Sequence, residues 1–198
     1  MTLTTPQRLG LFALLALAMA ATRVSHVGAF PDASWAVFLA AGFYLRGSLR
    51  WALPLLFALG VFIDFLVISG QGLNFWNHTC VSAAYWFLLP AYGVMAFAGT
   101  LLRKRYVAAN TASAMWLIGL GLVATSLCFV ISNGSFYWLA ESVVSPTLDG
   151  WLKNLGDWYL PYMRSTAMYL AIGAFAHVIG VHIARLAGAS SRPTATRG

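Results

Sequence analysis

WALPLLFALGVFIDFLVIS, residues 51–69, carries one ionisable side chain, Asp64, in a run close to the ~20 apolar residues with which an α-helix crosses the hydrocarbon of a bilayer. Lipid offers the backbone no hydrogen-bond partners, so such a run must satisfy its own N–H and C=O groups as a helix. The rest of the chain repeats the pattern. Further apolar stretches lie at 9–27, 33–45, 80–102, 112–132 and 166–187. Hydrophobic residues make up 60% of the 198 and charged residues 9%, with a mean hydropathy of +0.76, which excludes a soluble domain. The expected fold is an all-α membrane protein: a bundle of six transmembrane helices over residues 1–188 with a flexible cytoplasmic tail at 189–198. The second stretch is short, so it borrows length from its polar flanks or does not span fully.

Orientation follows from the lysines and arginines, which short cytoplasmic loops collect. With six spans and the N-terminus inside, Arg8, Arg46, Arg50, Arg103, Lys104, Arg105, Arg185, Arg192 and Arg197 fall inside. Of the 12 basic residues, this leaves Arg23, Lys153 and Arg164 outside. Both termini are therefore expected in the cytoplasm, and the net charge of +7 reflects topology and not nucleic-acid binding. The first stretch has a rival reading: Arg8, an apolar run, Ala18 and Ala20 also describe a cleaved secretory signal.

The outer connections carry most of the unusual residues. Residues 133–164 hold Phe136, Tyr137, Trp138, Trp151, Trp158, Tyr159 and Tyr162, broken by Pro146, Gly150, Gly156 and Pro161, and read as a lid-like loop or as an interfacial aromatic belt. Ionisable groups inside spans are costly unless they face a cavity or a partner. Asp64, Arg23 and His26 converge on the outer depth, so Asp64 either serves a ligand or pairs with Arg23 or Arg164 to lock helices. His177 and His182 read as packing residues of the last helix.

Cys80 ends the run NFWNHTC, residues 74–80, at the outer mouth, where an apolar helix is expected to begin behind Asn77 and Thr79 as caps. A helix N-terminus favours the thiolate, a soft ligand for a polarisable metal. Four-ligand spacing is absent, however, so a metal would bring its other ligands with it, as a tetrapyrrole-type cofactor does, leaving the protein only an axial position. Trp76, His78 and Tyr85 lie near Cys80 in sequence. Cys128, within the fifth helix, is a small buried hydrophobe or the partner of Cys80 in a disulfide.

The six short helices with both ends inside, the outer loops suited to a small ligand, and the cysteine of NFWNHTC followed by VSAAYW resemble the BtuM family of cobalamin transporters, related to the substrate-binding (S) components of energy-coupling factor (ECF) transporters. The resemblance covers residues 8–185. It implies that Cys80 matches the family cysteine that coordinates the cobalt of the corrinoid, and that Tyr85 belongs to the same segment. Residues 23–31, Asp64, and SNGSFYW around 133–138 would be pocket wall.

On that reading the ligand-binding set is Tyr85, Trp76, Asn77, His78, Asp64, His26, Asn133, Phe136, Tyr137, Trp138 and Arg164. Cobalamin is bound as substrate, and there is no built-in cofactor. The location is the bacterial inner membrane, with lipid as surroundings and an ECF coupling module as partner, or none. Ala16 and Ala20 give the small-residue spacing with which S components dock, a common pattern in membrane helices. No GxxxxGK[ST] loop for ATP hydrolysis is present. A thiolate on cobalt would ease reductive loss of an upper cyanide, giving Cys80 a catalytic role. The rival functions are a membrane thiol oxidoreductase using Cys80, which would want a resolving thiol, a non-catalytic scaffold subunit, and an S component for another vitamin.

Overall fold

The computed structural model describes residues 3–24, 31–78 and 81–190, and every regular element among them is helical. The α-helices are α1 (Thr5–Arg23), α2 (Ser34–Tyr44), α3 (Leu49–Gly70), α4 (Leu88–Arg105), α5 (Thr111–Leu139) and α6 (Leu148–Ser190). Short 3-10 turns at Arg46–Ser48, Phe75–Asn77 and Ala83–Phe87 lead into or between them. Four segments are long and apolar enough to cross a membrane: Arg46–Gly70, Ala83–Arg105, Thr111–Leu139 and Leu148–Ala187. Helix α1 has the length, but it opens on Pro6, Gln7 and Arg8 and closes on Arg23. Helix α2 has 11 residues and spans about 16 Å, half the thickness of a bilayer core.

That short helix is the centre of the molecule. Its sequence SWAVFLAAGFY is apolar all round, and a helix without a polar face has to be enclosed on all sides. Phe38 is fully buried and stacks on Tyr92 of α4 at 4.4 Å between ring centroids. The α2–α4 crossing is made by backbone. A Cβ on Gly42 would strike the carbonyl of Ala96, and one on Gly99 would strike the carbonyl of Leu39, so only glycine allows this approach. Met19, Leu56, Met95, Cys128 and Phe129 complete the core from the surrounding helices.

The ends of α5 and α6 differ from the sequence expectation. Residues 133–139 continue α5, and α6 begins at Leu148, so only residues 140–147 of the expected outer loop are a connection. Gly150, Gly156 and Pro161 do not interrupt α6, because the packing of α5 against it holds the helix together. Gly134 lies under the Trp151 ring, Asn133 donates to Asn154 at 2.6 Å, and the Ser126 and Tyr159 hydroxyls share a hydrogen bond of 2.9 Å. The loss of one N–H at Pro161 is tolerated within such a frame. Helix α4 also starts later than expected. Ser82 accepts a hydrogen bond from the Ala84 N–H to cap the turn Ala83–Phe87, and Asn77 ends a separate turn.

Charge is segregated along the bundle. Asp32, Asp64, Glu141, Asp149 and Asp157, all five acidic residues of the chain, fall at the end where α1 finishes and α6 begins. Arg8, Arg46, Arg50, Arg103, Lys104, Arg105 and Arg185 fall at the other. These are called the acidic and basic ends below.

Candidate functional site

One guanidinium organises the acidic end. Arg23, the last residue of α1, is buried, and it donates Nε to Asp64 Oδ1 at 2.7 Å and Nη2 to Asp64 Oδ2 at 2.6 Å. This forked pairing is the strongest arrangement available to an arginine and a carboxylate. Its Nη1 donates to Asp32 Oδ2 at 2.9 Å, to Ser34 Oγ at 3.1 Å and to the Tyr92 hydroxyl at 3.1 Å. The Tyr85 hydroxyl donates to Asp64 Oδ2 at 2.6 Å. Asp32 is set by the start of α2, where its Oδ1 accepts from the Ser34 N–H at 2.9 Å and from the Ser34 hydroxyl at 2.6 Å. The cation of α1 is thus held by the start of α2, by α3 and by α4, with the Ala83–Phe87 turn joined through Asp64, which is how a charge is kept in a region where it would otherwise cost several kcal/mol.

Above this network lies a cavity of ≈ 540 Å³, within the range of small-molecule sites. Arg23, Asp32, Asp64, Tyr85 and Tyr92 form its floor. Trp35, Phe129, Phe136 and Tyr162 form aromatic walls, with Trp35 and Tyr162 stacked at 5.1 Å. Gln71, His78, Ser132 and Asn133 supply polar groups. Asn133 Oδ1 is buried and has no hydrogen-bond partner. The site therefore combines flat apolar faces with neutral polar groups and a fixed ion network, suited to a flat ligand fringed with hydrogen-bonding groups.

The residues anticipated from sequence fall into three groups. Asp64, His78, Tyr85, Asn133 and Phe136 line the cavity. Trp76 and Asn77 sit on an exposed turn, with the Trp76 side chain 71% accessible, while Tyr137 and Trp138 pack towards the start of α6 and Arg164 is exposed on that helix; none of these lines the cavity. Cys80, its expected cap Thr79, and His26 lie outside the described residues. Of the two partners weighed for Asp64, the bound one is Arg23.

Several lining residues were not singled out from sequence, among them Asp32, Trp35, Gln71 and Tyr92. The Asp-x-Ser spacing that opens α2 was the one available sign for Asp32, whereas Trp35 and Tyr92 look like ordinary core aromatics until the helices are assembled. Cys128 is a free thiol with no accessible surface. Among the described residues no three His, Cys, Asp or Glu side chains are grouped to hold a metal ion.

Fold and site define an all-helical protein with four helical segments long and apolar enough to cross a membrane and a ligand-sized polar and aromatic cavity at one end. Compared with known protein families and with curated proteins, the chain matches no family model and no curated protein.

Proposed function

We propose that this protein takes up cobalamin across the bacterial inner membrane: six helices with both termini cytoplasmic, a corrinoid bound at the acidic end, and Cys80 as axial ligand to its cobalt. One observation carries the reading. His78 just before Cys80 and Tyr85 just after it line the same cavity, so the chain on both sides of the cysteine borders the place where a ligand fits. Aromatic walls suit the faces of the ring, and Gln71 and Asn133 suit its amide fringe. A corrinoid is large for a cavity of ≈ 540 Å³, so part of it would stand in the mouth, near the exposed Trp76 ring. Delivery inward would use an ECF coupling module docked along Ala16 and Ala20, or no partner. Thiolate donation to cobalt would weaken the upper Co–CN bond, so that cyanide leaves as its ion when an added thiol reductant supplies the electrons.

A thiol oxidoreductase draws no support from Cys128, which is fully buried and free and so badly placed to resolve a disulfide. An S component for a different vitamin would use the same cavity without Cys80. Purification in detergent from cells fed cyanocobalamin, followed by cobalt analysis and an absorption spectrum, separates these readings. The expected result is a stoichiometric corrinoid with a thiolate-shifted spectrum that Cys80→Ala abolishes. A colourless, cobalt-free protein would end the cobalamin proposal, and an unchanged spectrum in Cys80→Ala would end the axial role of the cysteine.

A further inference from the structure

The basic end holds a second cavity, ≈ 690 Å³ in volume, lined by Arg8, Arg46, Arg103 and Arg185 and by no acidic side chain. The five acidic side chains are all at the opposite end. Arg46 and Arg185 are exposed, and Arg8 spends its Nε on the Leu3 carbonyl at 3.1 Å. The Arg103 guanidinium lies over the rings of Phe43 and Tyr106, at 5.3 and 5.8 Å from their centroids. Such a pocket is a receptor for an anion.

It also has an apolar extension. Helices α5 and α6 touch through Asn133 and Asn154, then Ser126 and Tyr159, then Gly121 and Leu170. Nearer the basic end they line a cleft of ≈ 180 Å³ with α2, walled by side chains such as Leu39, Leu117, Leu170 and Val178 and almost without polar surface. Phe43, Tyr44, Tyr106 and His177 line both cavities. At this junction His177 uses both ring nitrogens, bonding the Tyr44 hydroxyl through Nδ1 and the Tyr106 hydroxyl through Nε2, each at 2.8 Å. Those bonds fix the wall where charged and apolar compartments meet. A ligand that fills both has an anionic head and a hydrocarbon chain.

We propose that this pair of cavities is a binding site for one anionic phospholipid of the surrounding bilayer, its phosphate among the four arginines and part of an acyl chain in the α2–α5–α6 cleft. A soluble anion would leave the cleft empty, and a neutral lipid would bring no negative charge to the exposed Arg46 and Arg185. Basic pockets between membrane helices are established receptors for anionic headgroups. The inference stands apart from the ligand at the acidic end, whose identity does not enter it.

The test uses the full chain, delipidated in non-ionic detergent and titrated with dioleoyl phosphatidylglycerol, dioleoyl phosphatidylcholine, glycerophosphate or inorganic phosphate. Thermal midpoint and native mass spectrometry are the readouts. The expected result is one phosphatidylglycerol bound with a raised midpoint, and no comparable effect of the other three. The Arg46→Gln/Arg185→Gln protein should bind it about thirtyfold more weakly, at about fivefold per arginine. Gly173→Phe should also weaken it, because Gly173 lines the cleft and a side chain there meets nothing within 4 Å. Phosphatidylcholine matching phosphatidylglycerol would overturn the proposal. So would glycerophosphate or inorganic phosphate reproducing the shift, which would mean a soluble-anion site, or parent-like binding by either variant. The comparison of ligands on the parent protein decides the matter even if a variant fails to fold.

Discussion

Removing one half of the Arg23–Asp64 pair should be far more damaging than its share of the whole network suggests, because the other half is left charged and buried. The side chains are 6% and 10% accessible and are joined by forked bonds of 2.6 and 2.7 Å. Asp64→Leu leaves Arg23 with Asp32, Ser34 and Tyr92, and Arg23→Met leaves the Asp64 carboxylate without its guanidinium. Each is expected to cost about 3–5 kcal/mol, and at about 2–4 °C per kcal/mol for a chain of this size Tm falls by about 6–20 °C.

The double variant removes both charges of the pair; it takes a bond from the Tyr85 and Tyr92 hydroxyls, at about 1–3 kcal/mol each, and leaves Asp32, a quarter exposed, with its Ser34 bonds but without its cation. It should therefore be no less stable than Arg23→Met alone, which corresponds to a coupling of about 3 kcal/mol or more. Thermal and denaturant unfolding of all four proteins in one detergent measures this double-mutant cycle. Costs that add to within about 0.5 kcal/mol would refute the view that this pair acts as a unit.

Three other outcomes are expected. Gly99→Ala drives a methyl group into the Leu39 carbonyl and should cost about 3 kcal/mol or more, whereas at Gly119, where a Cβ meets nothing within 4 Å, the same change should be neutral or slightly stabilising; thermal unfolding compares them. His177→Phe keeps a ring in place but strands the Tyr44 and Tyr106 hydroxyls, and Tm should fall by about 4–8 °C, from about 2 kcal/mol in lost bonds. In Cys80→Ala protein, Cys128 should resist a maleimide reagent in the folded state and react fully once denatured, by mass spectrometry, and rapid native labelling would contradict its burial.

Hydropathy located the helices well and their ends poorly. Among the described residues each of the six apolar stretches overlaps one α-helix, because an uninterrupted apolar run in lipid has no other way to satisfy its backbone. The boundaries moved where helices continue past the apolar run. Residues 133–138 and 148–164 mix aromatics with polar residues, glycine and proline, which reads as loop, yet contacts such as Gly134 under Trp151 hold them helical. The depth of Asp64 was legible because a lone carboxylate in an apolar run needs a partner. Its pairing with Arg23 was one of two alternatives that only tertiary structure distinguishes. Trp35 carried no such sign and Asp32 only its Asp-x-Ser spacing, since the cavity they line is made by α2 lying between α1, α3, α4 and α6, and sequence spacing does not encode that arrangement.

The glycine-mediated crossing of α2 and α4 also has a mechanical meaning. Where side chains separate two helices, rotamers can change and the helices can slide or rotate by small steps. At Gly42 and Gly99 backbone meets backbone, and there is nothing soft between them to adjust. Helices α2 and α4 therefore travel as one stiff beam. Any rearrangement of the bundle has to flex elsewhere, against α1 and α3 on one flank or along the α5–α6 cleft on the other.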